Sequence, residues 1–250
     1  MTLTNALSKA LTKTRRKKLA NKIFDHYSGV VQRGPFRGLQ LQGDSNVSRG
    51  PLALKIFGLY EHQVVEELSA AAPFGDLVNL GAADGYMSLG PRYGNLCQRS
   101  ICFEMTKQGR EAVRLNAERN EVADTTIIRG IADETLLDQL HKENVDFSNA
   151  VILCDIEGAE FDVLTSDVLN AVKGAKIIVE LHDRLMDGAE ELRQALIDRI
   201  PTGCTHRLIT ADAVSFAGIE HLERMHDLDR SLVLSEGRKV IGEWLVIEPE

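Results

Sequence analysis

Beyond Pro73 the chain alternates short apolar runs with stretches whose apolar residues recur at helical spacing. Leu77 to Leu80, Ile101 to Phe103, Thr126 to Ile128, Val151 to Cys154 and Ile177 to Leu181 are too short for helices, and they predict five buried strands. Between them Gln108 to Asn120, Glu134 to Leu140, Phe161 to Val172 and Ala189 to Ile200 read as helices, the last closed by Pro201. Such alternation predicts an α/β domain, a parallel sheet covered on both faces and wound right-handed. The end of the chain breaks the rhythm. His206 to Ile209 and Val240 to Ile247 lack the helix pattern of a further crossover, which predicts an antiparallel pair at one sheet edge.

Upstream of the sheet, Ile56, Leu59, Tyr60, Val64 and Leu68 share a face of a helix expected from Ile56 to Leu68. Residues 28 to 51 hold Gly29, Gly34, Pro35, Gly38, Gly43, Gly50 and Pro51, the mark of a long irregular segment. Leu3, Ala6, Leu7, Ala10 and Leu11 recur at helical spacing at the start. The expected organisation is a helical arm over 1–27, a Gly-rich segment and helix over 28–72 covering the site, and the main domain over 73–250.

Composition narrows the function classes. At 250 residues and 44% apolar content the chain can bury a core without disulfide or metal staples. Its apolar runs fall far short of the ~20 residues that span a bilayer. Four cysteines without a C-x-x-C pair or an apolar leader predict reduced thiols in a cytoplasm. The net charge of −8 argues against a nucleic-acid partner. That average hides an asymmetry: seven basic residues stand against Asp25 alone in the first 25, leaving −14 on the rest. The arm is expected to be a solvated or partner-packing helix, with an anionic membrane surface, the acidic body or an organellar presequence as alternatives, and homo-oligomer formation is left open.

In wound parallel sheets ligands bind beyond the carboxyl ends of the strands, so the residues ending each run carry the chemistry. The first run empties into Gly81-Ala-Ala-Asp-Gly-Tyr86, where Gly81 and Gly85 permit positive φ and close ligand approach. The G-x-G-x-x-G of a dinucleotide site and the G-x-x-x-x-G-K-[ST] of a nucleotide triphosphate site are both absent. Glu104 ends the second run 19 residues past Gly85, placed to accept from both hydroxyls of a ribose. Asp133, after the third run, is placed beside an adenine or as a helix cap. The fourth run gives Asp155-Ile-Glu157-Gly-Ala-Glu160, in which Glu160 suits the positive end of the helix it opens. The fifth gives Glu180-Leu-His182-Asp183, where alternation sends Glu180 and His182 to one face. Asp155, Glu180 and His182 can therefore converge as a general base with its orienting acid, or as a Mg²⁺ site.

Val78-Asn-Leu-Gly-Ala-Ala-Asp-Gly-Tyr86, Phe103-Glu104, Cys154-Asp-Ile-Glu-Gly-Ala-Glu160 and Val179-Glu-Leu-His-Asp183 together resemble the class I S-adenosylmethionine (SAM)-dependent methyltransferases, and within them the FkbM-like group. The Asp-x-Glu-Gly-x-Glu element is the specific part, and the resemblance runs from about Pro35 to Leu245. It implies a Rossmann-like doubly wound sheet of seven strands, mostly parallel with an antiparallel final strand. It implies SAM as cofactor, held by Gly81, Ala82, Asp84, Gly85, Tyr86, Glu104, Asp133 and Asp155. His182, Asp155 and Glu180 would be catalytic, while Tyr60, Glu61 and Glu157 would face a saccharide or other small-molecule acceptor. If a metal takes part, Asp155, Glu180, His182 and Asp183 would be its ligands. The implied activity is O-methylation of a hydroxyl on a sugar or small metabolite. A SAM-binding module without catalysis and a nicotinamide-dependent oxidoreductase are the alternatives. Gly90-Pro91 falls inside the helix after the SAM loop and predicts a short or kinked one.

Overall fold

The computed structural model describes residues 3–42 and 51–250. Of the turn formers read from the sequence, Gly43 and Gly50 lie outside the described residues. Seven strands form one sheet: β1 (Phe74–Leu80), β2 (Cys97–Phe103), β3 (Thr126–Arg129), β4 (Ala150–Cys154), β5 (Lys176–Glu180), β6 (Cys204–Thr210) and β7 (Glu243–Pro249), in the order β3-β2-β1-β4-β5-β7-β6. Every pairing is parallel except those of β7, which enters antiparallel between β5 and β6. This is a Rossmann-like doubly wound sheet with an antiparallel final strand.

The expected strands form because their apolar residues serve both faces of the sheet. Leu77, Val151, Leu153, Ile178 and Trp244 belong to one buried cluster. Their neighbours Val78, Ile152, Cys154, Val179 and Leu245 belong to the cluster on the other side. Strand order turns around at β1 and β4, so the crevice beyond Leu80 and Cys154 is the switch point where such sheets bind ligands.

Helices α1 (Leu3–His26), α2 (Leu52–Phe57), α3 (His62–Ala71), α4 (Tyr86–Tyr93), α5 (Lys107–Arg119), α6 (Leu136–Lys142), α7 (Glu160–Val163), α8 (Ser166–Ala171), α9 (Ala189–Asp198), α10 (Glu220–Glu223) and α11 (Asp227–Val233) complete the chain. Two expected helices are each broken in two. The stretch from Ile56 to Leu68 breaks at Gly58 (φ 69°), where a Cβ would lie 2.2 Å from the Arg33 carbonyl, and α3 starts after a left-handed Glu61 (φ 44°). The stretch from Phe161 to Val172 breaks at Thr165, whose hydroxyl accepts from the Val168 amide and caps α8. Helix α4 keeps Pro91 and is only eight residues long. Gly90 within it lies under Phe36, so close that a Cβ would sit 2.4 Å from the ring.

The arm is one helix, α1, and its two halves differ. Ala20 and Ile23 are buried against Ile56, Phe57, Leu222 and Val233, while Leu11 stands 64% exposed. Among the described residues no helix is long and apolar enough to cross a membrane.

Candidate functional site

At the switch point the loop Gly81–Tyr86 runs from β1 into α4 across the backbone of Asp155. A Cβ at Gly81 (φ 94°) would fall 1.7 Å from the Asp155 carbonyl oxygen, so only glycine fits there. Gly85 (φ 87°) turns the chain into α4, and Ala83 between them is also left-handed (φ 50°). The Ala83 amide donates to Glu104 Oε2 at 2.9 Å, while Thr106 donates to Oε1 from its amide at 2.8 Å and its hydroxyl at 2.6 Å. Glu104 is thereby aimed by the protein, and Oε2, with a single donor, keeps capacity for a ligand hydroxyl.

These residues wall a cavity of about 350 Å³, within the range of small-molecule sites. Asn79 and Asp84 line it from one side, Phe103 and Ala132 from the other. Asn79 is 1% exposed; its Nδ2 donates to Ser88 Oγ at 2.7 Å while its Oδ1 has no partner. A buried acceptor left unmet in a cavity wall fits a ligand that brings a donor. Asp84 accepts from the Tyr86 amide and is held by Lys55, whose Nζ lies 2.8 and 2.7 Å from its two oxygens in a buried pair. Lys55 Nζ also sits over the rings of Tyr60 and Tyr86, at 5.1 and 5.5 Å from their centroids. Asp133 is not brought to this cavity. Its Oδ1 accepts from the Thr135 amide and hydroxyl, the turn that starts α6, and Ile131 and Ala132 line the cavity in its place.

A second cavity, of about 300 Å³, adjoins the first and shares four wall residues with it: Tyr60, Glu61, Asp155 and Glu157. Glu180, His182 and Arg238 line its far side. Asp155 stands at the junction. Burial, then the charges of Glu180, Glu61 and Glu157, hold its carboxyl well above the usual range, against the pull of Arg238. Its Oδ1 is buried without a hydrogen-bond partner. His182 is fixed by Glu160, fully buried at the first turn of α7: Oε1 accepts from the His182 amide at 2.9 Å and lies 3.1 Å from Nδ1. With Nδ1 donating to Glu160, the ring turns Nε2 toward Asp155 and Glu157, each 3.7 Å away. Burial opposes the imidazolium, but the Glu160 hydrogen bond and the charges of Glu180, Glu160 and Glu157 outweigh it, so the pKa lies above 6.5.

Arg238 reaches three carboxylates, Glu61, Glu180 and Glu236, with Glu61 Oε1 at 2.6 Å, and its guanidinium lies 5.2 Å from the Trp244 ring centre. Burial, then Glu180, raises the Glu61 carboxyl to about 7, even though Arg238 and a hydrogen bond from Tyr60 pull it down. Among the described residues two sets of donor atoms lie close enough to share a cation, Asp155 with Glu157 and His182, and Glu61 with Asp155 and Glu180. Arg238 already occupies the second set. Asp183 belongs to neither, which corrects its place among the metal ligands. Its side chain turns to the opposite face and pairs with Arg193 at 2.7 Å.

Sequence reasoning missed Lys55, Asn79 and Arg238, and it gave Glu160 to its helix rather than to His182. A lysine on the apolar stretch from Leu52 to Phe57 was a readable signal. Arg238 had none, because the loop before β7 carries no motif.

No protein-family model and no curated protein matches this sequence. Among solved structures, an O-methyltransferase from Bacillus cereus in complex with SAH is similar at 13% identity and a TM-score of 0.49, over 93% of this chain and 91% of that one. An rRNA methylase from Streptococcus thermophilus is similar at 10% identity and 0.49, over 75% and 95%. The B. subtilis M1A22 tRNA methyltransferase TrmK is similar at 11% identity and 0.45, over 74% and 65%. Those activities are those proteins' own, and the fold of this chain stands on its strand order and pairings.

Proposed function

We propose that this protein is a SAM-dependent methyltransferase, FkbM-like on the strength of its Asp155-Ile-Glu-Gly-Ala-Glu160 element, and that it methylates a hydroxyl on a sugar or small metabolite in the cytoplasm. The observation that carries the reading is the junction at Asp155 between the two cavities: one has the loop, ribose acid and volume for a nucleoside cofactor, the other has an oriented histidine. SAM bound in the first cavity would supply an electrophilic methyl group on a sulfonium. Gly81, Ala82 and Ala83 would present the loop to the cofactor, with Gly85 turning the chain behind them, Glu104 Oε2 would accept from the ribose, and the free Oδ1 of Asn79 would accept from a donor at the methionine end. Tyr60 and Glu61 would close both cavities from above the junction.

The chain's remaining task is to hold the acceptor hydroxyl in line and take its proton. His182 is the base: Glu160 fixes Nδ1–H, leaving the Nε2 lone pair on the acceptor side. The acceptor cavity is walled by five carboxylates, Glu61, Asp155, Glu157, Glu180 and Glu236, against Arg238 and Lys239, a lining that disfavours a polynucleotide backbone and favours a neutral, hydroxyl-bearing group at the reacting end of the acceptor. A Mg²⁺ ion held by Asp155, Glu157 and His182 is the second reading, carried by their donor spacing. Full activity in EDTA is the expected result, and its loss would favour the metal.

The test is calorimetric titration of SAM and S-adenosylhomocysteine into the protein and into Glu104→Ala. Micromolar binding to the first, weakened about tenfold or more in the second, is expected for the loss of a charge-assisted hydrogen bond. An absence of binding to the unaltered protein would overturn the assignment.

A further inference from the structure

Next to the acceptor cavity, α1 and the end of α11 enclose a cleft of about 280 Å³ whose charge is the reverse of the site's. Lys9, Lys13 and Arg16, spaced to fall on one face of α1, line it together with Thr12, opposite Leu232 and Ser235. No carboxylate among the described residues lines it. Among the described residues Arg15 is the α1 cation with an ion-pair partner, Asp229 at 2.6 Å, and Lys9, Lys13 and Arg16 have none. Three like charges converging on one concavity repel one another, in a molecule whose residues beyond the first 25 carry a net −14. Among the described residues the cleft itself supplies no counter-charge. Ser235 Oγ accepts from the Gly237 amide at 3.1 Å, which leaves its own hydroxyl proton to donate.

The cleft touches the site through one loop. Gly237 lines the acceptor cavity, and a Cβ on it would lie 2.0 Å from an Arg16 guanidinium nitrogen, so Arg16 packs directly on the wall between the two spaces.

We propose that this cleft binds the phosphate group of a small phosphomonoester. A phosphate dianion offers three strong acceptor oxygens to two ammonium groups, a guanidinium fork and a hydroxyl. A lipid surface or a polynucleotide fits less well, because the cations line a concavity against the body, and the neighbouring cavity presents carboxylates to any further phosphates. That the phosphate belongs to the methyl acceptor, holding its hydroxyl end toward His182, rests on the methyltransferase reading. The binding itself does not.

The experiment is calorimetric titration of inorganic phosphate and of glycerol 1-phosphate into the full chain, at about 50 mM salt where charge pairs are only partly screened. The same titrations are run on Lys9→Ala/Lys13→Ala and on Arg16→Lys. Saturable one-to-one binding is expected, weakened about tenfold or more in the double variant and less in Arg16→Lys, with SAM affinity unchanged throughout. No saturable binding of either phosphate, or equal binding by the double variant, overturns the proposal. So does association only with phosphatidylserine vesicles or an RNA oligonucleotide, which would reduce the cleft to a basic surface. Phosphate binding without SAM binding would sink the methyltransferase reading and leave the cleft standing; the converse would do the reverse.

Discussion

His182 is fixed from one side and free on the other, and that asymmetry is what a base requires. Glu160, fully buried, holds both its backbone amide and Nδ1, so removing the ring should cost turnover while leaving the cofactor cavity intact. His182→Gln is expected to lower kcat about 10²-fold or more with SAM affinity unchanged. A loss below tenfold would remove His182 from that role. The pH dependence follows from the same contacts. Only the neutral imidazole accepts a proton, and its pKa lies above 6.5, so kcat/KM should rise with pH through that raised value. Glu160→Gln keeps an acceptor oxygen for Nδ1–H but removes the negative charge that favours the imidazolium, so the rise should move to lower pH. An unmoved profile would show that another group titrates there.

Between elements, the tie that counts is Lys55 to Asp84, joining α2 to the loop after β1 through a pair with 3% and 7% side-chain exposure. Breaking a buried pair strands the remaining charge, so Lys55→Met should cost about 3–5 kcal/mol of stability. Adding Asp84→Asn should restore part of it, the coupling read by urea unfolding of the four-member cycle. Additive losses would mean that the two charges are screened from each other. This pair also marks where the sequence stopped being legible. Strands β1 to β5 were readable from their short apolar runs, unbroken in the fully buried β4, and their carboxyl ends led to Glu104, Asp155, Glu180 and His182 without tertiary knowledge. Helix breaks at Gly58 and Thr165 were not, since a close approach by the Arg33 carbonyl and a cap compete with helical periodicity only in three dimensions. The roles of Glu160, Lys55 and Arg238 share one obstacle, even though Lys55 stood out on its apolar stretch. Each acts through a partner 22 to 177 residues away, a separation that local spacing does not encode.

Across the molecule charge is segregated: Lys9, Lys13 and Arg16 on α1 without ion-pair partners among the described residues, carboxylates gathered above the sheet around one arginine, Arg238. That gathering is held against its own repulsion, and pH should reveal it. Glu61 titrates at about 7 in the folded chain, where burial and Glu180 outweigh Arg238, against an ordinary 4.5. Asp155 is displaced in the same direction. A carboxyl whose pKa is raised by folding binds more protons in the native state, so its stabilisation is complete below about 4.5 and is lost as pH rises through about 7. Glu67 runs the other way, since hydrogen bonds from Arg207 and Lys176 prevail over its partial burial and hold it below its usual value. The cluster's own contribution is therefore the difference between the protein and Glu61→Gln, not the pH profile of either alone. The melting temperature of the unaltered protein relative to that variant should fall by a few degrees from pH 5 to pH 8, on the order of 1–3 kcal/mol for one displaced, coupled carboxyl. A difference that stays constant over that range would mean that Arg238 fully neutralises Glu61. The acceptor cavity would then be less acidic than its five carboxylates make it, and the preference for a neutral, hydroxyl-bearing reacting end would lose its electrostatic basis.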